Sequence, residues 1–290
     1  MALLRVLKTA KATLSRTFYL DGVATATTGA PAVTVTRLDG TAVESGSATG
    51  PDGSNGYSYA FGGRDVVDEL IATWVATVSG DVVTVTDTLQ IVGDFYWSLV
   101  EGRAVDSALS NVTTYPWATI TDRRIEVEDE CERICGQAFV PRFCREYVDG
   151  NATDRVILTY PWVRTIRAVS VQSRPGQAFV SYTAPELAEC VGSNAGVLRR
   201  PFKSMPWRPG YRNVLVEYEH GMDRPPPTIV RASKLRLKSM LLQPRAPAPD
   251  QAVPSGTVVY LTPGKDTDRT GISEVDNAYL RVPSPRPGFG

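Results

Sequence analysis

Histidine is nearly missing from this sequence: His220 stands alone among 290 residues. A single imidazole excludes a multi-histidine metal centre and a histidine relay. No apolar run approaches the roughly 20 residues needed to cross a bilayer, so no membrane partner is expected. An excess of either charge is absent as well. Thirty-one Lys and Arg face 31 Asp and Glu, so any contact with a polyanion has to arise from local patterning. The stretch Met1-Ala-Leu-Leu-Arg-Val-Leu-Lys-Thr-Ala-Lys11 is basic but interrupted by charge, unlike the apolar segment of a secretory signal. The chain is therefore expected to be made and kept in a cytoplasm, with its four cysteines as reduced thiols. Phosphate-loop and nucleophile-elbow patterns are missing too. Gly264-Lys265 is followed by Asp266 and lacks the glycine five residues earlier. No catalytic, cofactor-binding or metal-binding residue is expected, and the chain is not read as an enzyme.

What is present begins with β-structure, from Thr17 to about Gly93. Asp21-Gly22, Asp39-Gly40 and Gly80-Asp81 read as hairpin turns between runs rich in Val, Thr and Tyr. In Val82–Ile91, positions 83, 85, 89 and 91 are apolar and 84, 86 and 88 are threonine, the period of a half-buried strand. Leu70, Ala72, Trp74, Ala76 and Val78 line one face of the strand before it. Short strands with glycine-rich turns predict a small sandwich of immunoglobulin-like type.

Past Phe95-Tyr-Trp-Ser-Leu-Val100 the period changes. Ile120, Val127, Cys131, Ile134, Cys135 and Ala138 share one side of a helical wheel, opposite Glu126, Asp129, Glu130, Arg133 and Gln137. Thr119 or Thr121 is expected to cap this helix, and Pro141 to end it. Strands return at 155–160, 165–171, 178–183, 196–200 and 213–219. Pro225-Pro226-Pro227 opens a second helix over Ile229–Gln243, which Pro244 stops. Of the 21 prolines, 11 fall at or after residue 225, and the stretch beyond Pro244 reads as an extended arm.

Three features invite a chemical reading. Cys131, Cys135, Cys144 and Cys190 with His220 contain enough ligands for zinc, yet the two helical cysteines lie on the apolar face, where a thiol acts as a small hydrophobe. The acidic run Glu126-Val-Glu-Asp-Glu130 does not converge on a helix, so it reads as a solvated face or an interface with a basic neighbour. Arg231, Lys234 and Lys238 share a stripe of the second helix. They are candidates for contact with nucleic-acid phosphates, weighed against a solvated or salt-bridged face.

The order of the second half carries a resemblance. A helix ending in Cys135-Gly-Gln-Ala-Phe139 leads to Arg155-Val-Ile-Leu-Thr-Tyr-Pro-Trp162 and Thr165-Ile-Arg-Ala-Val-Ser-Val171. A strand then enters Glu219-His-Gly-Met-Asp-Arg-Pro-Pro226, a helix follows, and Thr270-Gly-Ile-Ser-Glu-Val-Asp276 comes late. Over about residues 100–282 this resembles the head-to-tail connector (adaptor) proteins of long-tailed bacteriophages. The resemblance implies a non-enzymatic virion protein of the neck, assembled in the host cytoplasm. It implies a dodecameric ring beneath the portal protein, extending the channel for double-stranded DNA and receiving the next neck or tail-completion protein. Arg231, Lys234 and Lys238 then become DNA-channel candidates. The arm becomes a portal- or neighbour-binding element, with Val258, Val259, Tyr260 and Leu261 as an added strand and Ile272, Val275, Tyr279 and Leu280 as a short amphipathic anchor. The N-terminal β-region is a departure from the minimal family pattern. An alternative reading makes it the binding module of a tail-associated protein, recognising a host surface or glycan. The expected architecture is thus α+β and multidomain: a β-sandwich over 1–97, a connector core over 98–243 and an extended arm over 244–290.

Overall fold

Alternating side chains build the N-terminal region strand by strand. In a computed structural model, the described residues are 3–200, 206–242, 251–252, 258–259 and 270–283. Nine strands come first: β1 (Leu3–Leu7), β2 (Ala12–Thr17), β3 (Tyr19–Leu20), β4 (Val23–Ala24), β5 (Ala32–Arg37), β6 (Ala42–Ser47), β7 (Gly56–Phe61), β8 (Asp68–Val78) and β9 (Asp81–Val92). Five of them form one sheet in the order β1-β9-β8-β5-β6, with β1 parallel to β9 and the other pairs antiparallel. β2 pairs with β7, and β3 with β4. Along β8 every second residue from Asp68 to Val78 is buried, and Leu70, Ala72, Trp74, Ala76 and Val78 pack against Leu14 of β2 and Tyr57, Tyr59 and Phe61 of β7. Period-two patterning is thus the cause of this core.

Turn chemistry follows the sequence closely. Asp21 and Gly22, at φ 51° and 82°, join β3 to β4 in the two-residue geometry that favours Asp-Gly. The β8–β9 turn sits one residue earlier than expected, on Ser79 and Gly80, both with positive φ.

The second half is mixed. It runs α1 (Leu99–Arg103), a 3-10 turn at Ser107–Ser110, α2 (Trp117–Cys135), β10 (Arg142–Gly150), β11 (Arg155–Ile157), β12 (Val163–Val171), β13 (Val180–Ser181), α3 (Ala184–Ala188), β14 (Val191–Gly192), β15 (Val197–Arg199), β16 (Gly210–His220) and α4 (Pro227–Leu242). Two short strands, β17 (Gln251–Ala252) and β18 (Val258–Val259), and α5 (Ser273–Leu280) follow. A four-stranded sheet has the order β10-β16-β12-β13, and β11-β15-β14 form a smaller one. The chain is therefore mixed α+β, rich in sheet.

Some expected boundaries shift for physical reasons. α2 starts at Trp117 after Pro116, which provides no side-chain cap, and the Thr121 hydroxyl donates back to the Trp117 carbonyl at 2.9 Å. Thr121 is therefore an interior residue of the helix, and neither threonine caps it. The helix ends at Cys135 because Gly136 takes the left-handed conformation, five residues before Pro141. β10 had no apolar alternation to announce it. Its polar side chains are matched across the sheet instead, with Arg145 on Glu217 at 2.9 Å and Glu146 accepting the Tyr218 hydroxyl at 2.6 Å.

Candidate functional site

Segments far apart in sequence meet below the C-terminal end of α2. Gly136 turns the chain so that Ala138, Phe139 and Val140 are buried. The Trp162 indole donates to Gln137 Oε1 at 2.8 Å, and Gly221 N–H donates to the Trp162 carbonyl at 3.0 Å. Met222 N–H donates to the Ala138 carbonyl at 3.3 Å. Gly221 has φ 102°, and a Cβ there would lie 2.2 Å from the Val140 carbonyl oxygen, so glycine is required on two independent grounds. Thr270 N–H and Oγ1 both donate to Asp276 at 2.7 and 2.8 Å. This clasp sets α5 so that Val275 and Tyr279 fill the space between α2 and α4. The segments that carry the family resemblance are thus one packed junction.

His220 closes that junction. It is buried and stacks on Tyr160 at 4.3 Å with the rings nearly parallel. Burial, opposed by Glu132 and assisted by Arg142, pushes its pKa down to about 4. It is a neutral packing element at ordinary pH.

A second feature ties the N-terminal region to the rest. Glu128 of α2 is fully buried. Its carboxylate accepts from Arg5 Nη1 of β1 at 3.1 Å, from Arg142 Nη2 of β10 at 2.8 Å and from the Tyr96 backbone N–H at 2.9 Å. Arg5 also pairs with Asp129 and donates to Gln90 at 2.9 Å; Arg142 pairs with Glu132 at 2.9 Å. Arg124 lies over the Phe95 ring at 3.4 Å, and burial brings its pKa down to about 10. Gly93 N–H donates to the Pro141 carbonyl at 3.0 Å, where a Cβ would approach the proline ring to 2.5 Å. A cleft of about 430 Å³ beside this hub is lined by Arg5, Glu69, Glu132, Arg142, Tyr160 and His220. The acidic run is thus an interface with basic neighbours inside the chain. Glu130 continues it, accepting a two-pronged contact from Arg236 of α4 at 2.7 and 2.9 Å.

The predicted site residues fall in several places. Arg231 pairs with Glu274 at 2.7 Å, Lys234 with Glu101 at 3.5 Å and Lys238 with Asp106 at 2.8 Å. Of the two readings of this stripe, DNA-channel contact or a salt-bridged face, the contacts are those of the second: neighbouring elements place one carboxylate beside each cation, so the stripe carries little net field. Val258 and Val259 pair with Ala252 and Gln251 of the same chain, so their described partner is internal. Tyr260 and Leu261 lie outside the described residues. Val275 and Tyr279 are buried in the protomer's own helical core, Ile272 packs beside them, and Leu280 is 55% exposed. The expectation that this anchor waits for a neighbour is corrected for Val275 and Tyr279, because α2 and α4 already cover them.

The cysteines do not assemble into one site. Cys131 and Cys135 touch, Sγ to Sγ at 3.9 Å, in the helical core, while Cys144 and Cys190 pack with the sheet core. Burial raises the Cys131 thiol well above its ordinary value and Cys144 to about 12, so both are protonated and poor nucleophiles. Among the described residues no three His, Cys, Asp or Glu side chains converge on a point.

No family model matches this chain, and no curated protein matches it. Two solved structures share a partial likeness. One is the neck of an empty gene transfer agent particle, computed with C6 symmetry: 15% identity, TM-score 0.44, covering 66% of this chain and 94% of that one. The other is the virion of a native gene transfer agent particle: 14% identity, TM-score 0.45, covering 67% of this chain and 93% of that one.

Proposed function

We propose that this chain is a virion structural protein of the neck: a head-to-tail connector that forms a closed ring beneath the portal and joins capsid to tail. The observation that carries the reading is the junction at Gly221. The separate segments on which the connector resemblance rests are joined by hydrogen bonds at Gln137, Trp162 and Met222, and α5, set by its own Thr270–Asp276 clasp, packs into the same core through Val275 and Tyr279. A structural role agrees with the protonated thiols and the neutral His220. In this reading the ring is dodecameric, DNA passes through it, and the portal and the next neck protein are its partners. The N-terminal β-region is an immunoglobulin-like module held against the connector core by the Glu128 hub.

The test is assembly. Native mass spectrometry and negative-stain microscopy of the purified chain, alone and mixed with the portal ring of its own particle, should give one closed species of high order. A trimer that ignores the portal would overturn the reading in favour of a tail adhesin.

A further inference from the structure

The far end of the four-stranded sheet carries cations of a different kind from those on α4. β16 runs 11 residues from His220, beside the charged hub, to Gly210, a span of about 35 Å at strand rise. At that distal tip lie Arg174, Arg208 and Arg212, all exposed. At the hub Arg5 and Arg142, and along α4 Arg231, Arg236 and Lys238, each have a carboxylate partner. Arg174, Arg208 and Arg212 have no ion pair among the described residues.

The tip is built with some rigidity. The buried Asn213 accepts from Gly150 N–H and donates to the Arg208 carbonyl, both at 2.8 Å. Arg208 Nη1 donates to the Ser173 carbonyl at 2.8 Å, which ties the loop bearing Arg174 to the same end. Arg212 holds φ at 48°, a left-handed value that costs a non-glycine residue energy. Asp149 accepts its backbone N–H at 2.6 Å and so helps to fix that conformation. The Arg212 guanidinium then lies 5.2 Å from the Tyr147 ring, which is braced by Phe179 at 5.5 Å, and Tyr211 beside it is 81% exposed.

We infer that this tip is a contact surface for the phosphate backbone of duplex DNA. Guanidiniums suit phosphate because their planar donors match its oxygens. Three unpaired arginines on a fixed scaffold, one of them aligned by a tyrosine face, make a sequence-independent electrostatic contact. Asp149 leaves the patch positive, since it removes one charge against three. The inference rests on the neck reading for the source of the DNA; the patch itself belongs to the single chain.

The experiment is fluorescence anisotropy with a labelled 20-base-pair duplex, titrated at several salt concentrations. Three phosphate contacts give a log–log salt slope of about −2.7, or roughly a 40-fold loss of affinity between 50 and 200 mM salt. Replacing Arg174, Arg208 and Arg212 together with Gln should remove most of that slope, and the triple Lys variant should keep it. A variant carrying Lys8→Gln and Lys11→Gln, which lowers net charge elsewhere, should bind as the parent does. Equal duplex binding by parent and triple Gln variant overturns the proposal. So does patch-dependent binding of poly-glutamate without patch-dependent binding of duplex, which would mark the surface for an acidic protein. Ring assembly measured on the same samples separates the two claims. Rings with no patch-dependent DNA binding defeat this inference alone, and patch-dependent binding without rings defeats the neck reading alone.

Discussion

In the N-terminal region Leu70, Trp74 and Leu89 pack among other apolar and aromatic side chains, whereas under α2 the fully buried Glu128 sits between Arg5 and Arg142. The two interiors place different demands on their surroundings. An apolar core tolerates any neighbour of similar volume. A buried carboxylate needs specific donors at specific distances, because an unpaired charge in a dry interior is costly. The apolar core therefore holds the β-region together, and the charged hub fixes where α2 and β10 dock against β1.

The contrast can be broken from several directions. The largest effect should come from ending the chain at Gln243, which deletes α5 and with it Val275 and Tyr279 from the helical core. Losing two such buried side chains is expected to cost about 5 kcal/mol or more, enough to leave the helical half unfolded in chemical denaturation while the β-region still melts cooperatively.

Glu128→Ala comes next. It leaves Arg5 and Arg142 facing each other without the carboxylate between them, at a cost of about 3–5 kcal/mol. Trp74→Ala should cost a similar 3–5 kcal/mol through the cavity it leaves. The two should differ in rescue. Adding Arg5→Met and Arg142→Met to a Glu128→Leu change should recover much of the loss, read as the midpoint of urea unfolding. No compensating charge change should rescue Trp74→Ala.

A smaller effect distinguishes the junction by pH. His220 titrates at about 4 when folded and near 6.5 when unfolded. Between those values the unfolded chain binds the extra proton, so stability falls as pH falls from 6.5 to 4, by at most about 1.4 kcal/mol per pH unit. His220→Phe keeps the stack on Tyr160 and should flatten that part of the stability–pH curve. Smallest of all, Lys238→Gln should shift stability by no more than about 1 kcal/mol, since its partner Asp106 is a partly exposed surface pairing.

Legibility in the sequence followed the same division. The face of β8, the Asp21-Gly22 turn and the start of α4 after its proline run were written in period and turn chemistry, which are local. α2 was visible from Val127 and Cys131, but Glu128 was not visible as a buried residue. Nothing in an acidic run says which carboxylate will meet Arg5, 123 positions away. β10 was hidden for a related reason: its side chains are satisfied by partners on β16 and not by an apolar face. At the candidate sites, spacing placed Arg231, Lys234 and Lys238 on one stripe correctly, yet their carboxylates come from α5, α1 and the turn after it. Conversely, Arg174 is remote in sequence from the neighbouring pair Arg208 and Arg212, and only the fold, through the Arg208–Ser173 contact, brings it to them.

The most direct measurement is cryo-electron microscopy of the neck of the particle that carries this protein. The account predicts density for this chain as a closed ring between portal and tail, with the Gln137–Trp162–Gly221 junction inside each protomer. Finding the chain instead as trimers at the distal tail, with the β-region pointing outward, would contradict it.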